Sequence, residues 1–172
     1  MNLLINVNMV NKLKQVLFIC YGNTARSPAA EFLAKELKKK YKDELQDVVF
    51  ESAGFINAFS FIQPESRQYL DSKGIDHSDF RPQTINKELL ERQDLILTME
   101  KSHSLEIIRN FDNIENIENK TFTLKEYNGE TDVIDIIDPY YTSNKTYKKV
   151  LKIIDVHVEK AIKKIIEINN SE

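Results

Sequence analysis

The segment Gln15-Val16-Leu17-Phe18-Ile19-Cys20 constrains this chain more than any other. Its apolar side chains run without polar alternation over a stretch too short for a stable helix, so it reads as a strand buried on both faces, as in a parallel sheet. Tyr21-Gly22-Asn23 ends the run, and Ser27-Pro28 opens a helix. Ser27 is expected at the N-cap and Pro28 at the first helical position, where its missing N–H costs nothing. Leu33, Leu37 and Tyr41 give that helix one apolar face. The unit places Cys20 at the carboxyl end of a strand, which is where parallel α/β sheets bind their ligands.

The rest of the chain repeats the alternation of strand and helix. Asp47 to Ser52 predicts a second strand ending at Ala53-Gly54, and Pro64 to Ser72 a helix stopped by Gly74. Asp94 to Met99 predicts a third buried strand, Ser102 a cap for a helix reaching about Asn110, and Thr121 to Leu124 a fourth strand. The stretch from Lys125 to Ser143 reads as loop, punctuated by Asn128-Gly129 and Asp138-Pro139. From Asn144 onward, apolar residues at 150, 154, 158, 161 and 165 mark a long helix packed along one face. The expected architecture is a single α/β domain over residues 15–172, with a four-stranded parallel sheet, helices on both faces and a flavodoxin-like strand order 2-1-3-4. Residues 1–14 are expected to form a flexible N-terminal extension, with Met9 an alternative start.

Composition narrows the function classes. Lys plus Arg number 24 against 27 Asp plus Glu, a net charge of −3, so there is no broad basic field and neither a nucleic-acid nor a membrane partner is expected. Cys20 is the sole cysteine, which excludes an intramolecular disulfide, a zinc knuckle and a dithiol redox pair, and fits a reducing, cytoplasmic compartment. The first fifteen residues lack the order of a signal peptide, because asparagines interrupt the apolar run and Lys12 and Lys14 follow it. His77, His103 and His157 have no metal-site spacing and are expected at the surface; no metal or other cofactor is expected. The Lys38-Lys39-Lys40 run reads as a solvated helix face.

The loop from Cys20 to Arg26 carries the chemistry. A turn that wraps its backbone N–H groups inward makes an anion-binding nest, and a helix N-terminus adds positive potential at the same point. Gly22 and Asn23 are residue types that tolerate the left-handed backbone such a nest needs, and Arg26 can fork its guanidinium onto two phosphate oxygens. The same cup favours the thiolate form of Cys20, a ready nucleophile. Ser27 is placed to donate its hydroxyl to that sulfur and help it leave again.

The sequence Cys20-Tyr-Gly-Asn-Thr-Ala-Arg-Ser-Pro28 resembles the signature of the low-molecular-weight protein tyrosine phosphatases. Ser52-Ala53-Gly54, the Gly74-Ile75 turn, Asp94 to Met99 and Asp138-Pro139-Tyr140-Tyr141 fall in that family's order, so the likeness covers roughly Val16 to Lys163. The resemblance implies hydrolysis of phosphotyrosine on a protein or peptide through a phosphocysteine intermediate, releasing inorganic phosphate. It implies a phosphate-binding loop of Tyr21, Gly22, Asn23, Thr24, Ala25 and Arg26, supported by Asn23, Ser27 and Ser52. Asp138 corresponds to the family's general acid, and general acid catalysis of this kind is worth ~10²–10⁴ in rate. Asp132 and Asp135 are its rivals by position, expected as loop or N-cap carboxylates. Thr24, expected on the loop's rim, with Phe55, Tyr140 and Tyr141, corresponds to the walls of the substrate slot.

This chain departs from the family pattern in three places. Ala25 stands where a second cysteine is common, Ala58 where an aromatic wall residue is common, with Phe55 or Phe59 as substitutes, and Ser78-Asp79-Phe80-Arg81-Pro82 replaces a histidine-containing turn. Thr24 resembles the residue of the family's protein arginine phosphatases, so phosphoarginine stays open beside phosphotyrosine. Arsenate reductases of the same fold need additional cysteines, which the lone Cys20 disfavours. A binding module without turnover would need neither a nucleophile nor an acid.

Overall fold

A computed structural model describes residues 11–171. Strand β1 (Gln15–Cys20) lies in the interior of the sheet, pairing with β2 (Val49–Gly54) on one side and β3 (Leu95–Thr98) on the other, and β4 (Thr121–Thr123) closes the far edge. All pairings are parallel and the order is β2-β1-β3-β4, as expected. The helices are α1 (Arg26–Lys40), α2 (Lys42–Leu45), α3 (Pro64–Ser72), α4 (Lys87–Glu91), α5 (Lys101–Asn110), α6 (Leu124–Tyr127) and α7 (Asn144–Asn170).

The continuous apolar run of β1 is explained by cover on both faces. Side chains alternate along a strand, so Val16, Phe18 and Cys20 join the core beneath α1 and α7, while Leu17 and Ile19 join a second core with Leu89, Leu90 and Ile107 from α4 and α5. Val150, Ile154, Val158, Ala161 and Ile165 of α7 are all buried in the first core, as their spacing predicts. Gly74 terminates α3 with a φ of 69°, the left-handed conformation that favours glycine.

The structure moves several expected boundaries. Helix α1 begins at Arg26, with Ala25 at the N-cap position; Ser27 is not the cap, because its hydroxyl is drawn to the side chains of Cys20 and Asn23. Helix α5 begins at Lys101, and Glu100, not Ser102, precedes it; the Lys101 N–H is capped from a distance by Asp135 Oδ1 at 2.6 Å. The expected loop from Lys125 onward opens with α6, a single turn held by a capping box between Thr123 and Glu126. His103 and His157 are buried, with 6% and 8% of their surface exposed, not at the surface as expected. Residues 1–10 of the expected N-terminal extension lie outside the described residues. Leu13 exchanges two hydrogen bonds with the Asn169 side chain, at 2.7 and 2.9 Å.

Candidate active site

The carboxyl ends of β1, β2 and β3 converge on the loop between Cys20 and Arg26. Asn23 takes the left-handed backbone (φ 51°), whereas Gly22 does not. Gly22 is instead closely packed, since a Cβ there would stand 3.0 Å from the Ala58 Cβ. Gly54, at the end of β2, presses on the loop from below: a Cβ there would lie 2.7 Å from the Asn23 nitrogen and 2.8 Å from the Tyr21 oxygen.

Side chains beneath the loop form one hydrogen-bonded chain. The Gln83 backbone N–H donates to Asn23 Oδ1 at 3.1 Å, which directs the Asn23 amide nitrogen to Ser27 Oγ (3.0 Å) and Ser52 Oγ (2.9 Å). Ser27 Oγ stands 3.0 Å from Cys20 Sγ. Ser52 donates in turn to the buried carboxylate of Glu31 at 2.5 Å, and Lys35 donates to the other Glu31 oxygen at 2.6 Å. Burial, the largest influence, raises the pKa of Glu31 against the lowering effect of its bonds to Lys35 and Ser52.

Arg26 is buried to 2% exposure, and a buried charge persists only where it is paired. Its Nη1 donates to the Glu100 carboxylate and, at 2.7 Å, to the Ile136 carbonyl, while Nη2 lies 3.4 Å from Asp138 Oδ2. The Ile136 N–H donates to the Met99 carbonyl at 2.8 Å, which fastens the segment carrying Asp138 to the end of β3. Asp138 is half exposed, with one oxygen accepting the Tyr140 N–H at 3.0 Å and the other turned to Arg26. Of its rivals, Asp135 is committed to the start of α5 and Asp132 is exposed in the loop.

The expected slot residues divide into two groups. Tyr140 packs on Tyr141 at 4.1 Å between ring centroids and faces Phe59 at 6.3 Å, with Phe61 behind Phe59 at 5.4 Å. Phe55 lies apart from them, stacked on Tyr21 at 6.3 Å and tilted against His103 at 5.4 Å. Phe59 is therefore the aromatic that meets Tyr140, and Phe55 shapes the Tyr21 side. Thr24 is only 7% exposed, seated deeper than the rim position expected for it, and its carbonyl accepts the Gln63 N–H at 2.8 Å.

Three polar residues at this site escape sequence reasoning. Glu100 falls just beyond β3, at a strand's carboxyl end, a position that marks it as a candidate in any parallel sheet. Glu31 and Gln83 carry no such signal, since a carboxylate within α1 and an amide in a turn read as solvent-facing. Among the described residues no group of three His, Cys, Asp or Glu side chains is placed to hold a metal ion. No described helix is long and apolar enough to cross a membrane.

A parallel sheet presenting a cysteine and a buried arginine at either end of one strand-to-helix loop has the arrangement of the phosphate-handling enzymes with a cysteine at the strand end. Residues 15–170 match the low molecular weight phosphotyrosine protein phosphatase family, and the chain belongs to it, as a hydrolase of the protein-tyrosine-phosphatase type. The low molecular weight protein-tyrosine-phosphatase PtpB of Staphylococcus haemolyticus is 31% identical over 140 residues, covering 80% of this chain and 90% of its own. Among solved structures, a low molecular weight protein tyrosine phosphatase from T. tengcongensis is 33% identical with a TM-score of 0.77, covering 88% of this chain and 99% of its own. The YwlE arginine phosphatase from Geobacillus stearothermophilus is 29% identical with a TM-score of 0.75, covering 88% and 92%.

Proposed function

We infer that this chain hydrolyses phosphotyrosine on protein substrates, in the cytoplasm, through a phosphocysteine intermediate. The observation that carries the reading is the meeting of one local cluster with a distant group: Cys20 beside Ser27 and Arg26 buried at the start of α1, all from one strand-to-helix segment, and the Asp138 carboxylate brought to Arg26 from the loop before α7. The phosphoryl group is held by Arg26 and the loop N–H groups. The Cys20 thiolate attacks phosphorus, an S–P bond forms as the P–O bond to the phenol breaks, and protonated Asp138 supplies the leaving oxygen with its proton. Water then attacks phosphorus, passing a proton to the Asp138 carboxylate; the S–P bond breaks, phosphate leaves and the thiolate returns, helped by the Ser27 hydroxyl. No step draws on a cofactor.

Turnover of aryl phosphates by wild type and Cys20→Ser tests this reading. The serine variant is expected to fold and to bind phosphate or vanadate while losing turnover; substantial residual turnover refutes the covalent mechanism. A second reading, phosphoarginine, is favoured by Thr24, and a structural relative is named an arginine phosphatase. Comparing kcat/KM on phosphotyrosine and phosphoarginine peptides, in wild type and Thr24→Ile, separates the two. A preference for phosphoarginine that reverses in the variant makes the second reading the right one.

A further inference from the structure

We propose that Glu31 is a positioning residue which, through Ser52 and Asn23, aims the Ser27 hydroxyl at the sulfur of Cys20. The proposal rests on Cys20 being the nucleophile, and it follows from counting donors. The Gln83 backbone N–H can only donate, so the Asn23 atom that meets it at 3.1 Å is the amide oxygen, and the amide nitrogen faces the two serines. Both serine oxygens therefore accept from Asn23, and each has one hydrogen left to place.

Ser52 places its hydrogen on Glu31, 2.5 Å away, a charge-assisted bond of the short, strong kind. A hydroxyl polarised in this way is a better acceptor, which tightens the grip of Ser52 on the Asn23 amide. Asn23 sits in the left-handed conformation, which its own side-chain bonds help to maintain. Held there, the amide nitrogen occupies one side of Ser27 Oγ and leaves the Ser27 hydrogen a choice between Cys20 Sγ at 3.0 Å and the Ala53 carbonyl at 3.3 Å. The sulfur is nearer although it is the larger atom, so the hydrogen goes to it. Glu31 thus acts on the nucleophile without touching it.

The surroundings of Glu31 suit a fixed acceptor. Lys35 of the same helix holds its second oxygen, and Asp79, 3.7 Å from the Lys35 nitrogen, approaches from the turn before α4. A cleft of about 370 Å³ opens behind the loop, lined by Glu31, Lys35, Ser52, Asp79, Arg81 and Gln83. At the other end of the loop from Cys20 stands the charge of Arg26, paired with Glu100 and facing Asp138.

The test is the pH profile of Cys20 alkylation by iodoacetamide in wild type, Glu31→Gln, Ser52→Ala and the double variant, alongside their thermal unfolding. Both single variants are expected to move the profile to higher pH by about one unit, equivalent to roughly tenfold slower alkylation at a fixed acid pH. The double variant is expected to match the singles, because they interrupt one chain. In a Ser27→Ala background, Glu31→Gln is expected to shift the profile no further. A profile that stays in place while the melting temperature falls would reduce Glu31 to a structural role and overturn the proposal. So would movement to lower pH, the signature of nothing more than a lost negative charge. Alkylation reads the sulfur directly, so these outcomes stand apart from the phosphatase reading, which fails or survives on turnover.

Discussion

At Gly54 a single methyl group suffices to test the floor of the loop from Cys20 to Arg26. The atoms that a Cβ would meet, the Asn23 nitrogen at 2.7 Å and the Tyr21 oxygen at 2.8 Å, are backbone and cannot swing aside. Gly54→Ala is expected to cost about 1–3 kcal/mol of stability, as overpacking generally does. It is expected to lower kcat/KM at least tenfold by lifting the loop; denaturant unfolding together with turnover checks both. Asp138→Asn is expected to slow hydrolysis of aryl phosphates with poor leaving groups far more than those with good ones, because only the former depend on a donated proton. A uniform loss across a leaving-group series would point to another acid. Cys20 has no second thiol in the sequence to trap a sulfenic acid, so activity after strong peroxide is expected to return poorly with added thiol. Full recovery in wild type contradicts this.

Between elements, the loop is clamped from its outer side by two helices. Ser66 of α3 bonds the Ala25 carbonyl at 3.1 Å and meets the Tyr147 hydroxyl of α7 at 2.8 Å. Burial, the largest cause, pushes the Tyr147 phenol up to about 12, so it remains a neutral hydrogen-bonding group across the working pH range. Tyr147→Phe is expected to cost about 1 kcal/mol, one buried hydrogen bond, with Ser66→Ala costing more because both bonds go; urea unfolding of the two variants gives the order. On the other side, Asp135 anchors the first turn of α5, and the residue just before that turn is Glu100, which holds Arg26. Asp135→Ala is expected to lose about 1 kcal/mol of helix capping and to lower kcat/KM through a misplaced Arg26, measured by the same two assays.

For the molecule as a whole, the buried histidines set how stability responds to acid. Burial is the first cause that depresses both His103 and His157 below their ordinary value of 6.5. The Asn128 amide meets His157 Nδ1 at 3.0 Å, an arrangement that a neutral ring accepts and a proton on that nitrogen would end. The unfolded chain therefore binds protons that the folded chain refuses, so the stabilisation is whole above about pH 6.5 and is lost as the pH falls through the depressed folded values. Urea midpoints are expected to fall between pH 7 and pH 5.5, and less steeply in His157→Gln. Comparing the two proteins at each pH isolates the histidine from Glu31, whose raised value works in the opposite direction.

The strand, loop and first helix were legible because their evidence is local. Five apolar residues, a turn and a Ser-Pro step suffice to put Cys20 and Arg26 at opposite ends of one strand-to-helix loop, and Asp138-Pro139 is legible as a loop signal and by its likeness to the family pattern. Helix boundaries slipped where a side chain was recruited elsewhere, as Ser27 was to Cys20. The short helices α2, α4 and α6 were missed because four or five residues hold too little periodicity to register. What only the tertiary structure decided is which distant groups complete the site. Glu100, 74 positions from Arg26, neutralises it, Ile136 accepts from it across 110 positions, and Phe59 rather than Phe55 meets Tyr140. Local residue patterns report which face of a strand or helix is buried. The carboxylate that meets a given guanidinium is selected by how the separate elements pack, and that selection leaves no mark on either segment by itself.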